Sequence, residues 1–128
     1  MVEHTLKFAL QNFHNKNILL STDSSLIRRI GTKYKVLCPW LRPKKYSTDL
    51  SSSLDAILHS VKWYEKNNDK LDYVILLQPT TPYRSKYTLT RCINLFLKEK
   101  NCTIKTIKLD KNLNKKKKNF IFKQYLFT

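Results

Sequence analysis

Apolar residues recur along this chain at two spacings, helical and strand-like, and the alternation between them organises the sequence. Leu6, Ala9, Leu10 and Phe13 fall at i, i+3, i+4 and i+7, so residues 3–14 form an amphipathic helix. Asn15, Lys16 and Asn17 break it. Residues 18–20 (ILL) are an apolar run of strand length that gives way to Ser21, Thr22 and Asp23. Asp23 or Ser24 can N-cap a second helix with apolar positions at Leu26, Ile27 and Ile30, and Gly31 falls near its C-terminal end. Residues 34–38 are a second strand candidate. Pro39 and Pro43 then bracket Trp40, Leu41 and Arg42 in an ordered loop.

Ser52 and Asp55 stand at capping-box spacing, with Asp where Glu or Gln is usual. Leu54, Ile57, Leu58, Val61 and Tyr64 mark a third helix, ended by Asn67, Asn68 and Asp69. Residues 73–77 (YVILL) are apolar on both faces, the pattern of a central parallel strand, and Pro79 and Pro82 stop the run. Leu89, Cys92, Ile93, Phe96 and Leu97 give a fourth helix over residues 87–100, and residues 103–109 a weaker strand. Strands alternating with helices predict an α/β domain with parallel pairing and right-handed crossovers. Residues 1–109 read as that domain, and 110–128 as a basic C-terminal tail, either a last strand or a disordered end. An open α/β sheet ordinarily begins with a strand, whereas this chain begins with a helix. The sheet edge so left uncovered predicts poor solubility.

Composition narrows the function classes. The 128 residues suffice for one domain, and 41% of them are hydrophobic, enough to bury a core. No stretch approaches the roughly 20 apolar residues that span a bilayer, and the N-terminus has no signal-peptide pattern. The expectation is a cytoplasmic protein with no membrane partner. Cys38, Cys92 and Cys102 form no CxxC pair, which argues against a disulfide framework or a zinc knuckle. The net charge of +16 invites a nucleic-acid reading. Against it, the basic residues cluster only in the tail, and no RNP, KH or zinc-finger pattern is present. A small basic nucleic-acid-binding protein therefore stays as the alternative. The single glycine, Gly31, excludes a glycine-rich phosphate loop within this chain.

Ligands of open α/β sheets sit beyond the carboxyl ends of the strands. Three polar segments qualify: Ser21, Thr22 and Asp23; Arg42 with the serine-rich stretch to Asp55; and residues 78–84 (QPTTPYR). In the last, the prolines fix the backbone, Gln78 offers an amide, Thr80 and Thr81 offer hydroxyls, and Arg84 can meet a carboxylate or close the loop. Asp23 and Ser52 have a second role open to them, as helix caps, and Asp55 reads as structural.

These segments carry a resemblance. "STDS", "LRPKKYSTDLSSSLDAILHSVKW" and "DYVILLQPTTPYR", in this order and spacing, resemble the acylneuraminate cytidylyltransferases, the CMP-sialic acid synthetases and their relatives acting on pseudaminic and legionaminic acids. The resemblance covers residues 3 to about 108. It implies a Rossmann-like, mostly parallel sheet with helices on both faces, here a partial nucleotidyltransferase domain. It implies Mg²⁺-dependent transfer of CMP from CTP to a sialic-type nonulosonic acid, and a homodimer. On matching positions it places Ser21, Asp23, Arg42, Ser52 and Ser53 with the nucleotide, and Gln78, Thr80, Thr81 and Arg84 with the sugar acid. It assigns no catalytic residue and no metal ligand here. The family's opening phosphate loop, its metal-holding acidic residues and its dimerisation segment have no counterpart in these residues. Little or no transferase activity is therefore expected of the chain alone. A non-catalytic subunit docking on an intact homologue is a third reading.

Overall fold

The computed structural model describes residues 1–47, 52–81 and 83–99. They contain four α-helices: α1 (Val2–Asn12), α2 (Ser25–Lys33), α3 (Ser53–Asn67) and α4 (Lys86–Lys98), with short 3₁₀ turns at Asn15–Asn17 and Lys44–Tyr46. The chain divides into two compact units, one over Met1–Tyr83 and one beginning at Arg84. No helix among the described residues is long and apolar enough to cross a membrane.

In the first unit, α1 and α2 pack around a core of Leu6, Ala9, Ile18 and Val36, with Leu10, Phe13, Leu20, Ile30 and Leu77 partly buried against it. The stripe at Leu6, Ala9, Leu10 and Phe13 is thus the face that α1 turns inward. Glu3, in the first turn of α1, suits the positive end of the helix dipole and accepts a hydrogen bond from the Tyr34 hydroxyl at 3.5 Å.

Ser24 is the N-cap of α2, its hydroxyl accepting from the Ile27 N–H at 3.4 Å. The helix closes in a Schellman motif: the Lys35 N–H donates to Thr32 O at 3.0 Å and the Val36 N–H to Gly31 O at 3.2 Å. Lys35, at φ 54°, takes the left-handed position usually given to glycine. Gly31 lies one turn earlier, buried inside α2, where a Cβ would meet Leu20 Cδ2 at 2.7 Å. Its role is close approach between helix and chain, not the turn.

Extended structure is sparser than the alternating pattern predicts. Residues 18–20 and 36–38 meet in one parallel bridge, Leu19 to Leu37, through Leu20 N–H to Leu37 O at 2.8 Å and Leu37 N–H to Ile18 O at 2.9 Å. Tyr34 and Lys35 are spent on closing α2, so the strand expected over 34–38 is extended only from Val36. In the YVILL run, Ile75 is fully buried and occupies a bridge position, while Tyr73 is exposed. Burial is thus deepest at one residue of this run rather than even along it. The expected strand over 103–109 and the tail over 110–128 lie outside the described residues.

Helix α3 begins at its N-cap Ser52 and turns Ile57 and Ser60 inward. In the second unit, α4 is capped by Ser85, whose hydroxyl accepts from the Thr88 N–H at 3.0 Å, and it buries Cys92.

Candidate functional site: a cavity lined by three polar turns

The first unit holds a partly open cavity of about 370 Å³. Its apolar lining comes from Leu6, Ala9 and Phe13 of α1, Ile27 of α2, Ile57 of α3, and Ile18, Leu20, Ile75 and Leu77. Its polar lining comes from Thr5, Ser21, Thr22, Asp23, Arg42, Ser53, Ser60 and Gln78. Two unbroken runs, residues 18–23 and 75–79, line it throughout. Successive side chains on extended backbone point to opposite faces. An unbroken run of lining residues therefore means that the backbone edge itself borders the cavity. The polar groups fall at the carboxyl ends of these two runs, on the loop that carries Arg42, and on α1 and α3.

The Arg42 loop is fastened to the first of these turns. The Arg42 N–H donates to Thr22 O at 2.7 Å, and its Nη2 donates to Ser21 O at 2.8 Å. Arg28 of α2 reaches the same loop from the other side, Nε to Cys38 O and Nη2 to Pro39 O, both at 3.3 Å. Ser21 Oγ and Arg42 Nε are buried without hydrogen-bond partners. Buried donors and acceptors are ordinarily paired, so this pair marks the polar end of the cavity as one built to receive hydrogen bonds.

Ser21, Asp23, Arg42, Ser53 and Gln78 are thus brought together, and Ser52, Thr80, Thr81 and Arg84 do not line the cavity. Ser52 is committed to its cap: its hydroxyl accepts from the Asp55 N–H at 3.1 Å and donates to Asp55 Oδ2 at 2.8 Å. Because Ser24 caps α2, the alternative role of Asp23 as cap falls away, and its exposed carboxylate stands at the cavity. Thr80 and Thr81 are exposed in the turn closed by Thr81 N–H to Gln78 O at 3.2 Å. Arg84 belongs to the second unit, where burial lowers its pKa from the ordinary arginine value.

Sequence reasoning overlooked two features. Ser60 is 2% exposed and lines the cavity, while its hydroxyl donates to Ala56 O at 2.9 Å. Beside the Arg42 loop lies an aromatic cluster. The Trp40 ring stands 5.0 Å from His59, edge-on, and 5.0 Å from Trp63, and Tyr46 lies 5.0 Å from His59. The i, i+4 pair His59 and Trp63, off the apolar stripe of α3, was the available signal. Burial, and next the Lys45 charge, lower the His59 pKa, and its Nδ1 is buried without a partner.

Among the described residues, Asp23 is the single carboxylate in the cavity lining, and no group of three His, Cys, Asp or Glu is placed to hold a metal ion. That donor set does not by itself make a divalent-cation site.

The cavity thus lies at the carboxyl ends of extended runs, with hydroxyl, amide and guanidinium groups of four segments lining it. The chain is similar to the acylneuraminate cytidylyltransferases. It is 30% identical over 95 residues to CMP-N,N'-diacetyllegionaminic acid synthase of Legionella pneumophila, an alignment covering 74% of this chain and 41% of that protein. It is 26% identical over 101 residues to a pseudaminic acid cytidylyltransferase of Campylobacter jejuni, covering 79% of this chain and 44% of that one. It is 28% identical over 115 residues to an N-acylneuraminate cytidylyltransferase of Escherichia coli, covering 87% and 26%. The chain therefore spans less than half the length of each of these relatives. No protein-family model matches it.

Proposed function

We propose that this chain supplies the nucleoside and sugar-acid side of a cytidylyltransferase site, in which CMP passes from CTP to a nonulosonic acid. In that reaction the anomeric hydroxyl attacks the α-phosphorus and pyrophosphate leaves. The observation that carries the reading is the convergence of Ser21, Asp23, Arg42, Ser53 and Gln78 on one cavity, in a chain whose relatives are named for this chemistry. Arg42 and the hydroxyls of Ser21 and Ser53 bind the nucleotide, reading polar edges of the base. Gln78 holds the sugar acid, with Thr80 and Thr81 contributing from the following turn. The extended runs belong to a Rossmann-like, mostly parallel sheet with helices on both faces. The parallel bridge from Leu19 to Leu37 and the backbone edges along 18–23 and 75–79 support that architecture.

The one glycine of the chain lies inside α2, so these residues build no glycine-rich cradle for a triphosphate. The purified chain is accordingly expected to bind CMP while turning CTP over slowly or not at all.

Isothermal titration of the 128-residue chain with CMP, and with AMP as the comparison, tests the reading. Saturable CMP binding that AMP does not match, weakened at least about tenfold by Arg42→Ala, is expected, since a charge-assisted bond is worth about 1.5–3 kcal/mol. Absence of CMP binding, with salt-dependent capture of oligonucleotides instead, would transfer the case to the nucleic-acid alternative. CTP turnover at ordinary enzyme rates would overturn the expectation of low activity.

A further inference from the structure

The aromatic cluster beside the cavity has no part in the reading so far, yet it touches the loop on which that reading depends. Trp40 precedes Arg42 by two residues and lies between Pro39 and Pro43. Its ring contacts His59 and Trp63, one turn apart on α3, at 5.0 Å each. The same helix brings Ser53 to the cavity at its N-terminal end. The loop is thus held from three directions: by Arg28 of α2 at Cys38 O and Pro39 O, by the Ser21–Thr22 turn at Arg42, and by α3 through the Trp40 ring. The first two anchors are hydrogen bonds to backbone, each compatible with some sliding of the loop. The third is a bulky ring seated edge-on against one aromatic partner and tilted against another, the offset geometries that aromatic pairs prefer.

We propose that Trp40 is a positioning residue: by locking the 39–43 loop to α3, it fixes the Arg42 guanidinium at the cavity and sets the distance between Arg42 and Ser53. This rests on the cavity being the nucleotide site only for its functional consequence; the mechanical claim stands apart from it. A partly buried guanidinium with an unpartnered Nε binds a ligand well only if its supports hold it within about half an ångström. The backbone bonds from Arg42 set where its loop starts, and the Trp40 ring sets how far the loop can move against α3. Loss of the indole leaves the residues of the cavity in place but lets Arg42 wander.

The test uses the full chain and two readouts. The first is the Arg42 side-chain Nε–H signal in nitrogen-15 NMR, assigned by its disappearance in Arg42→Lys; its heteronuclear NOE reports order with no ligand present. The second is CMP affinity. Trp40→Ala is expected to lower the Arg42 NOE to that of a mobile side chain and to weaken CMP binding about tenfold, as misplacement of a binding group does. Trp40→Phe, which keeps a ring against His59 and Trp63, restores both. Leu10→Ala serves as the control, since Leu10 packs in the core and does not line the cavity. It lowers the melting temperature while leaving the Arg42 signal ordered. An Arg42 signal that stays ordered in Trp40→Ala, or that loosens equally in Leu10→Ala, overturns the proposal. Wild-type chain that fails to bind CMP while Trp40→Ala still releases Arg42 overturns the nucleotide reading and leaves the positioning role supported.

Discussion

Arg42 and Ser21, twenty-one positions apart, are joined by a 2.8 Å hydrogen bond from the Arg42 guanidinium to the Ser21 carbonyl. With the Arg42 N–H on Thr22 O, this makes one unit of two turns that follow separate extended runs. Arg42 therefore ties the two turns together and also lines the cavity. Arg42→Ala removes the side-chain bond and leaves the Ser21 carbonyl to find another donor, at a cost of about 1–3 kcal/mol. Arg42→Lys keeps the charge but not the planar fork, and is expected to recover only part of that loss. Urea denaturation of the three proteins orders them wild type, Lys, Ala; equal midpoints would show the bond to be idle.

The second helix separates the two neighbouring residues that compete to cap it. Ser24→Ala is expected to cost about 1 kcal/mol, because the Ile27 N–H loses its acceptor. Asp23→Ala, which leaves that cap intact, stays within about 0.5 kcal/mol of wild type while altering ligand binding. The opposite pattern, a costly Asp23→Ala and a silent Ser24→Ala, would return Asp23 to a purely structural role.

Gly31 separates two competing effects. Alanine gains about 0.5–1 kcal/mol of helix preference over glycine, but its Cβ would stand 2.7 Å from Leu20 Cδ2. That atom is the end of a leucine side chain and can turn aside, so Gly31→Ala is expected within about 1 kcal/mol of wild type. Gly31→Ile adds branches that also meet Val36 and Cys38, whose nearest atoms are already at 3.5 Å, and loses about 1–3 kcal/mol by overpacking. Thermal melts of both variants check the split.

His59 gives the fold a pH dependence. Burial first, and the Lys45 charge second, lower its pKa below the usual 6.5. The unfolded chain then takes up the proton at a higher pH than the folded one. Its contribution to stability is level above the ordinary histidine range, falls as pH drops through that range, and levels again once the folded form is protonated too. Denaturation midpoints of wild type and His59→Phe between pH 7.5 and about pH 5 are expected to diverge, wild type losing more. Parallel curves would remove His59 from the account.

The helices were legible because their information is local. The stripe at Leu6, Ala9, Leu10 and Phe13 needs no partner to announce itself, and it appears as α1. Strands need partners distant in sequence, and the run at 34–38 shortened because Tyr34 and Lys35 end α2 first, with a lysine in the glycine position of the motif. No local signal gives that away. The same contrast holds at the cavity. The polar residues following apolar runs, Ser21, Asp23, Arg42 and Gln78, were readable by rule. The choice between Ser52 and Ser53 was not, since it depends on which serine caps α3 and which the first turn of that helix carries to the cavity. The cluster of Trp40, Tyr46, His59 and Trp63 is a contact between loop and helix that sequence spacing alone does not encode.

A residue-resolved titration of the nitrogen-15-labelled chain with CMP tests most directly the proposal that one cavity in the first unit takes the nucleotide. The account predicts saturable shifts concentrated at Ser21, Asp23, Arg42, Ser53 and Gln78, with the exposed faces of α1 and α2 unchanged. Shifts absent altogether, or scattered over the lysine-rich surface and abolished by moderate salt, would contradict it.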